Sequence, residues 1–171
     1  MYTLRRSLIA IQLAGLLGLC IGVAWAADEP TPAAPSGSGA SRPSQDPTSP
    51  IVGRILRFSA GPDKVDVTIE QDNPTVRDLL SMLPLTLKLE EFAGREKIGY
   101  LPRKLAIAGS PGSDPEDGDL IYFVPWGNLG FYYDTSGIGY SDLTIHIGRY
   151  AASRDRLAAF AGRTVRVELV Q

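Results

Sequence analysis

The sequence predicts a mainly β domain that folds as a closed antiparallel β-barrel, with two short helices over its open ends. In several segments apolar and polar residues alternate with a period of two, as in strands that bury one face. Only two segments show the helical period. Residues 51–171 leave about 120 residues for this fold, a length that suits one domain. A two-sheet sandwich would show the same periodicity and is the alternative architecture.

The first two predicted strands are joined by a tight turn. Residues 51–58 form one strand and residues 64–69 the next, and Ala60-Gly61-Pro62-Asp63 supplies the turn between them. Three later segments alternate in the same way, namely residues 85–89, 143–147 and 165–169. Residues 120–124 and 129–133 are apolar on both faces, which predicts a central pair of strands.

Two helices interrupt the strands. Asn73 is a good N-cap for the first helix, with Pro74 at its first position, and Pro84 ends it. Ser153 caps the second helix and Gly162 stops it. Their apolar faces carry Val76, Leu79, Leu80 and Leu83 in the first and Leu157, Phe160 and Ala161 in the second.

Residues 1–26 have the order of a secretory signal peptide. Arg5 and Arg6 precede an apolar run over residues 7–23, and Ala24-Trp25-Ala26 places small residues for cleavage. The run is also near the minimum length of a membrane-spanning helix, so an uncleaved N-terminal anchor is the alternative. We therefore expect an exported protein, periplasmic or secreted, with membrane contact only through a retained leader.

Residues 27–50 predict a disordered linker. From Asp28 to Pro50 the chain has six Pro and five Ser and no aromatic or branched aliphatic residue, so it has too little apolar surface to fold. The only cysteine, Cys20, lies in the leader. The domain over residues 51–171 therefore folds without disulfides.

Composition and motifs exclude several classes of function. The chain carries 17 Lys and Arg against 19 Asp and Glu, so no broad positive field favours a nucleic-acid partner. It has no G-x-S-x-G, P-loop, H-E-x-x-H or C-x-x-C motif. Because one His and no Cys remain after the leader, we expect no metal and no cofactor.

Two further groups of polar residues are predicted to lie on the surface. His146 alternates with Ile145 and Ile147 on its strand, so it should face solvent rather than act as a catalyst. An acidic cluster follows Gly112 and predicts a surface turn, with a calcium site as the less favoured alternative. Its members are Asp114, Glu116, Asp117 and Asp119.

The candidate binding residues are Tyr100, Arg103, Trp126 and Asn128. Tyr100 and Arg103 lie in a segment that predicts a loop or barrel edge, and Trp126 stands between Pro and Gly at a strand break. A Trp in that setting presents a large ring to a shallow pocket or plugs the end of the barrel. Arg and Asn would add oriented hydrogen bonds to a ligand.

Several motifs in one order carry a family resemblance. They are Asp72-Asn73-Pro74-Thr75-Val76-Arg77-Asp78, Leu83-Pro84-Leu85-Thr86-Leu87, Glu96-Lys97-Ile98-Gly99-Tyr100-Leu101-Pro102-Arg103-Lys104, Gly118-Asp119, Pro125-Trp126-Gly127-Asn128-Leu129 and Gly148-Arg149. Over residues 65–170 the chain resembles the small bacterial cyclophilin-like proteins, a family of uncharacterised function. The resemblance implies a barrel of about eight strands with two helices. The Phe-His-Arg stretch of true peptidyl-prolyl isomerases has no counterpart, so no catalytic residue is assigned.

These observations favour a binding module for a small ligand or an extended peptide. The enzymatic alternative is a prolyl isomerase of the cell envelope, in which Arg103 or Arg149 polarises the proline amide. A third possibility is a structural partner in an envelope complex. The sequence leaves the ligand and the oligomeric state open.

Overall fold

A computed structural model describes residues 49–170. The predicted signal peptide, its anchoring alternative and nearly all of the predicted linker lie outside these residues. Within the described part of the chain, no helix combines the length and apolar character needed to cross a membrane.

The described residues form nine strands and two helices. In chain order they are β1 Ile55–Ala60, β2 Asp63–Ile69, α1 Pro74–Ser81, β3 Leu85–Lys88, β4 Glu90–Phe92, β5 Glu96–Tyr100, β6 Asp119–Phe123, β7 Asn128–Tyr132, β8 Thr144–Tyr150, α2 Arg154–Ala158 and β9 Thr164–Val170. All strand pairs are antiparallel, in the order β3-β9-β1-β2-β8-β6-β7-β5-β4. This single sheet curls into a nearly closed barrel, which confirms the predicted fold class and excludes the two-sheet sandwich.

Alternating side chains fill the barrel. Leu56, Phe58, Val65 and Val67 are at most 3% exposed, as the period of two predicts. The rings of Phe58 and Phe131 meet edge to face across the interior, with centroids 4.8 Å apart. The core therefore extends without a break from β1 to β7, two strands that are not neighbours in the sheet.

Both predicted helices are present with their predicted caps. The Asn73 side chain accepts a hydrogen bond from the backbone N–H of Val76 at 3.0 Å. Ser153 accepts one from the N–H of Arg156 at 3.3 Å, although α2 is only five residues long. The first strand starts later than predicted, because Val52 and Gly53 form a turn before Ile55.

The barrel closes where β5 approaches β3. A Cβ atom on Gly99 would lie 2.7 Å from Leu87 Cδ1 and 2.9 Å from Leu89 Cδ2, so glycine at this position lets both leucine side chains pack directly on β5. Leu89 is also the single residue between β3 and β4, the two strands at the ends of the sheet order. The chain itself therefore joins the two edges of the sheet.

A second close approach joins β8 to β2. Gly148 pairs with Ile69, and a Cβ atom on Gly148 would overlap the Thr68 carbonyl oxygen and lie 2.9 Å from the carbonyl carbon. The Gly148-Arg149 motif thus has a structural reason, because only glycine allows this backbone contact.

Candidate functional site

The candidate site lies on the outer face of strands β4, β5 and β7. Since the missing side chain of Gly99 would point into the core, its neighbours Ile98 and Tyr100 on β5 point outward. Directly paired residues share a face, and Tyr100 pairs with Asn128 of β7. Glu96 also points outward, paired with Phe92 on one side and Tyr132 on the other. This face is opposite to the barrel interior.

Three aromatic rings meet on this face. The Trp126 ring lies edge to face with Phe92 and Phe123, at centroid distances of 5.1 and 5.5 Å. Trp126 is 46% exposed and Phe92 37%. We call these three residues the aromatic cluster. Of the two roles that the sequence left open for Trp126, its position favours a surface platform over a plug in the barrel.

Tyr100 and Asn128 lie beside each other but differ in exposure. Tyr100 is 55% exposed, whereas Asn128 is buried at 1%. The Asn128 side-chain nitrogen donates to the Leu129 carbonyl at 3.2 Å, and its buried Oδ1 has no hydrogen-bond partner among the described residues. A buried acceptor of this kind costs about 1–3 kcal/mol. Asn128 therefore lies beneath the predicted binding surface, while Tyr100 lies on it.

Arg103 is paired with a residue of α1. Its two terminal nitrogens donate to the Asp78 carboxylate of α1 at 2.6 and 2.7 Å. These hydrogen bonds lower the pKa of Asp78 to about 2. Arg103 lines a separate groove of about 620 Å³ with Ser81, Met82, Leu83, Pro84 and Pro102. The structure thus places Tyr100, Trp126 and Asn128 at one end of β5 and β7, but directs Arg103 elsewhere.

A small cavity adjoins the aromatic cluster at Phe92. It measures about 160 Å³ and is lined by Phe92, Ala93, Arg95, Glu96, Tyr132, Asp134 and Ile138. Burial raises the pKa of the Glu96 carboxyl group to about 7, although the charge of Arg95 opposes this shift. The sequence analysis did not select Glu96 or Phe92, because the segment that contains β5 was predicted as a loop or barrel edge and no strand was predicted at β4. The outward alternation of Glu96, Ile98 and Tyr100 is the signal that points to this face.

The prediction that His146 is exposed was wrong. His146 is 8% exposed, and its Nε2 lies 3.1 Å from a Glu70 carboxylate oxygen while Nδ1 lies 3.5 Å from Asp119. The outer face of β8 is covered at His146 by the side chains of Glu70 and Asp119. Asp119, predicted in a surface turn, is also buried at 4%.

Asp119 is the centre of a polar network. One of its oxygens accepts from the Glu116 backbone N–H at 2.9 Å, and the other lies 3.4 Å from Arg149 Nε. Arg149 also donates to the Glu116 side chain at 2.9 Å. Asp114, Glu116 and Asp117 are exposed, as predicted for a surface turn. In residues 49–170 no group of three or more His, Cys, Asp or Glu side chains is arranged to hold a metal ion.

The His146 network predicts a pH dependence of stability. Burial opposes the imidazolium, but Asp119 and Glu70 outweigh it and raise the pKa of His146 above 6.5. A raised folded-state pKa contributes stability that is complete below pH 6.5 and is lost as the pH rises through the folded value. Urea unfolding at increasing pH above 6.5 should therefore show a falling free energy of unfolding.

The same pH series on a His146→Gln variant is the control. Glu96 also makes the protein less stable as the pH rises, because its folded-state pKa is raised as well. Its effect falls at lower pH, between 4.5 and about 7. The difference between the two proteins isolates His146, and parallel curves above pH 6.5 would contradict the assignment.

Comparisons with known proteins agree with the fold. The profile of the Cyclophilin-like family matches residues 58–169, which include nearly all of the barrel. The solution structure of a hypothetical protein from Archaeoglobus fulgidus is similar, with a TM-score of 0.55 and 20% sequence identity. The similarity covers 71% of this chain and 98% of that one, and at this identity it concerns the fold alone. No curated protein matches the chain.

Proposed function

This chain belongs to the cyclophilin-like family, and from that premise we propose that it is an exported binding module for a small ligand or an extended peptide. The observation that carries the proposal is the aromatic cluster, which exposes Trp126 and Phe92 together on the outside of the barrel. Export rests on the leader sequence of residues 1–26. The fold by itself assigns no activity.

The aromatic cluster has the physical properties of a binding surface. Covering the exposed half of the Trp126 ring would remove roughly 100 Å² from water, worth about 2.5 kcal/mol. Its edge-to-face contacts with Phe92 and Phe123 hold the ring in place before a ligand arrives. A ligand would therefore lose little free energy in ordering the site. Trp and Tyr are also the residues that most often dominate binding energy at interfaces.

The prolyl isomerase alternative has less support. It requires an arginine that is free to polarise a proline amide beside an apolar pocket. Arg103 is held by the Asp78 carboxylate, and Arg149 by Glu116 and Asp119. Each guanidinium is thus engaged by carboxylates of this chain.

The direct test is a Trp126→Ala variant of the full chain. Ligands would first be found for the wild-type protein by screening a peptide library and a small-molecule library. Truncating a central aromatic residue typically costs 2 kcal/mol or more, so we expect at least a thirtyfold loss of affinity for those ligands. Far-UV circular dichroism and the melting temperature should stay close to those of the wild type.

Tyr140→Ala is the matched control, because Tyr140 is 63% exposed but lies outside the aromatic cluster. This variant should bind as the wild type does. The proposal would lose its main support if Trp126→Ala unfolded the barrel, or if it bound every ligand with unchanged affinity.

A further inference from the structure

We propose that the cavity beside Phe92 is a subsite for an alkylammonium group, a protonated primary amine on an apolar stem. The inference deepens and rests on the proposed function, because it names the chemical class of one part of the ligand. A free alkylamine and a lysine side chain share this chemistry.

The size of the cavity sets what it can hold. At about 160 Å³ it is smaller than the roughly 300–1,000 Å³ of pockets that enclose a whole ligand. It can therefore take a single side chain or a small amine. Phe92, Tyr132 and Ile138 give it aromatic and aliphatic walls, which suit an alkyl stem. Aromatic faces also attract cations.

Glu96 supplies the polar group of the subsite. Within the described residues its carboxyl group has no hydrogen bond and no salt bridge, and burial is the main influence on its protonation. A carboxylate in such surroundings is destabilised until a cation or a hydrogen-bond donor reaches it. An ammonium group provides both, since it carries a charge and three N–H donors.

The other charges at the cavity largely cancel. Arg95 donates to the backbone carbonyls of Asp134, at 3.0 Å, and of Ser136, and its guanidinium is 3.8 Å from the Asp134 carboxylate. Since the pKa of Tyr132 is raised to about 12, its hydroxyl remains neutral. The net charge therefore comes from ionised Glu96, which selects a cation over an anion.

Gly130 makes room for the carboxylate. Gly130 lies opposite Ile98 on β5 and Ile121 on β6, on the same outer face. A Cβ atom there would overlap Glu96 Oε2 and come within 3.0 Å of the Tyr132 ring. The absence of a side chain at this position thus leaves room for the Glu96 carboxylate beside the Tyr132 ring.

Binding of an amine should be linked to proton release. With a pKa of about 7, Glu96 is mostly protonated at pH 6 and mostly ionised at pH 8. Since the ammonium group binds the ionised form, apparent affinity should be about tenfold weaker at pH 6 than at pH 8. A neutral ligand of the same shape would show no such dependence.

The experiment is isothermal titration calorimetry of the full chain with n-butylammonium, at pH 6 and pH 8. We expect binding that is about tenfold tighter at pH 8, with proton release at pH 6 detected by comparing buffers of different ionisation enthalpy. n-Butanol is the neutral control and should bind at least tenfold more weakly at pH 8. A lysine-containing peptide, compared with its norleucine counterpart, shows whether the same group is recognised on a peptide.

Variants locate the subsite. Glu96→Gln should weaken n-butylammonium binding at least tenfold at pH 8 and abolish the pH dependence. Glu90→Gln is the matched control, because Glu90 is an exposed acid on neighbouring β4 that pairs with Lys88; it should bind as the wild type does. Equal binding of butanol and butylammonium, unchanged binding by Glu96→Gln, or no amine binding at either pH would overturn the proposal.

The outcomes also separate this inference from the proposed function. The wild-type pH series needs no variant, so it decides the question even if Glu96→Gln fails to fold. If amines do not bind while Trp126→Ala still loses the screened ligands, only the ammonium subsite is wrong. If amines bind but Trp126→Ala affects no ligand, the subsite stands and the aromatic cluster is not the main binding surface.

Discussion

Replacing Gly148 with alanine is expected to lower the free energy of unfolding by about 3 kcal/mol or more. The new methyl group would overlap the Thr68 carbonyl oxygen of β2, and it would lie 3.1 Å from the Ile69 Cα atom. These are backbone atoms within a hydrogen-bonded pair of central strands, so no side-chain rotation can relieve the contact. Either β2 and β8 separate locally or the bond angles distort, and both outcomes lose stability.

Urea denaturation of the wild type and the variant measures this effect. Gly139→Ala is the matched control, since a Cβ atom at Gly139 would meet no atom within 4 Å and the residue has no positive φ. The control should remain within about 0.5 kcal/mol of the wild type. A Gly148→Ala protein with nearly unchanged stability would show that β8 can move away from β2 at little cost.

The second large effect is expected for Asp119→Ala, a loss of about 3 kcal/mol. Asp119 balances the charges of His146 and Arg149 and accepts from the Glu116 N–H. Without it, the buried imidazole loses one of the two carboxylates that favour its charged form, and a backbone donor is left unpaired. Removing one member of a buried charged network typically costs more than the pair contributes, because the remaining groups stay desolvated.

Asp114→Ala serves as the control for that measurement, because Asp114 is an exposed acid of the same segment. It should change stability by less than about 0.5 kcal/mol. The wild type and the two variants are compared by thermal unfolding at pH 6, a pH at which His146 is charged. If both variants behaved alike, the buried network would have no special contribution to stability.

Much of the fold was predictable because period-two alternation is a local property of the chain. The strands around Val67, Leu87, Ile145 and Val167 were all confirmed on that basis. Strands β4 and β5 were not recognised because their charges obscure the alternation. Lys97, for example, pairs with the core residue Phe131 and points inward, where it forms a salt bridge with Glu91.

The candidate site was less predictable, because its geometry depends on contacts between distant residues. Alternation assigns His146 to the outer face but says nothing about the side chains of Glu70 and Asp119 that cover it. Similarly, the partner of Arg103 lies 25 residues earlier in the chain, on α1. The Glu96 cavity arises only when β5 and β7 pair and bring Gly130 beside it.

The single-residue link at Leu89 has a consequence for how the protein behaves at high concentration. A sheet with two free edges can recruit strands from other molecules, which leads to aggregation. Here the two terminal strands, β3 and β4, follow each other in the chain with only Leu89 between them. The length of this one residue limits how far the two edges can separate there. A foreign strand that paired with either edge would have to enter where the chain itself passes from β3 to β4. The covalent link at Leu89 thus protects an incompletely hydrogen-bonded barrel against intermolecular sheet extension.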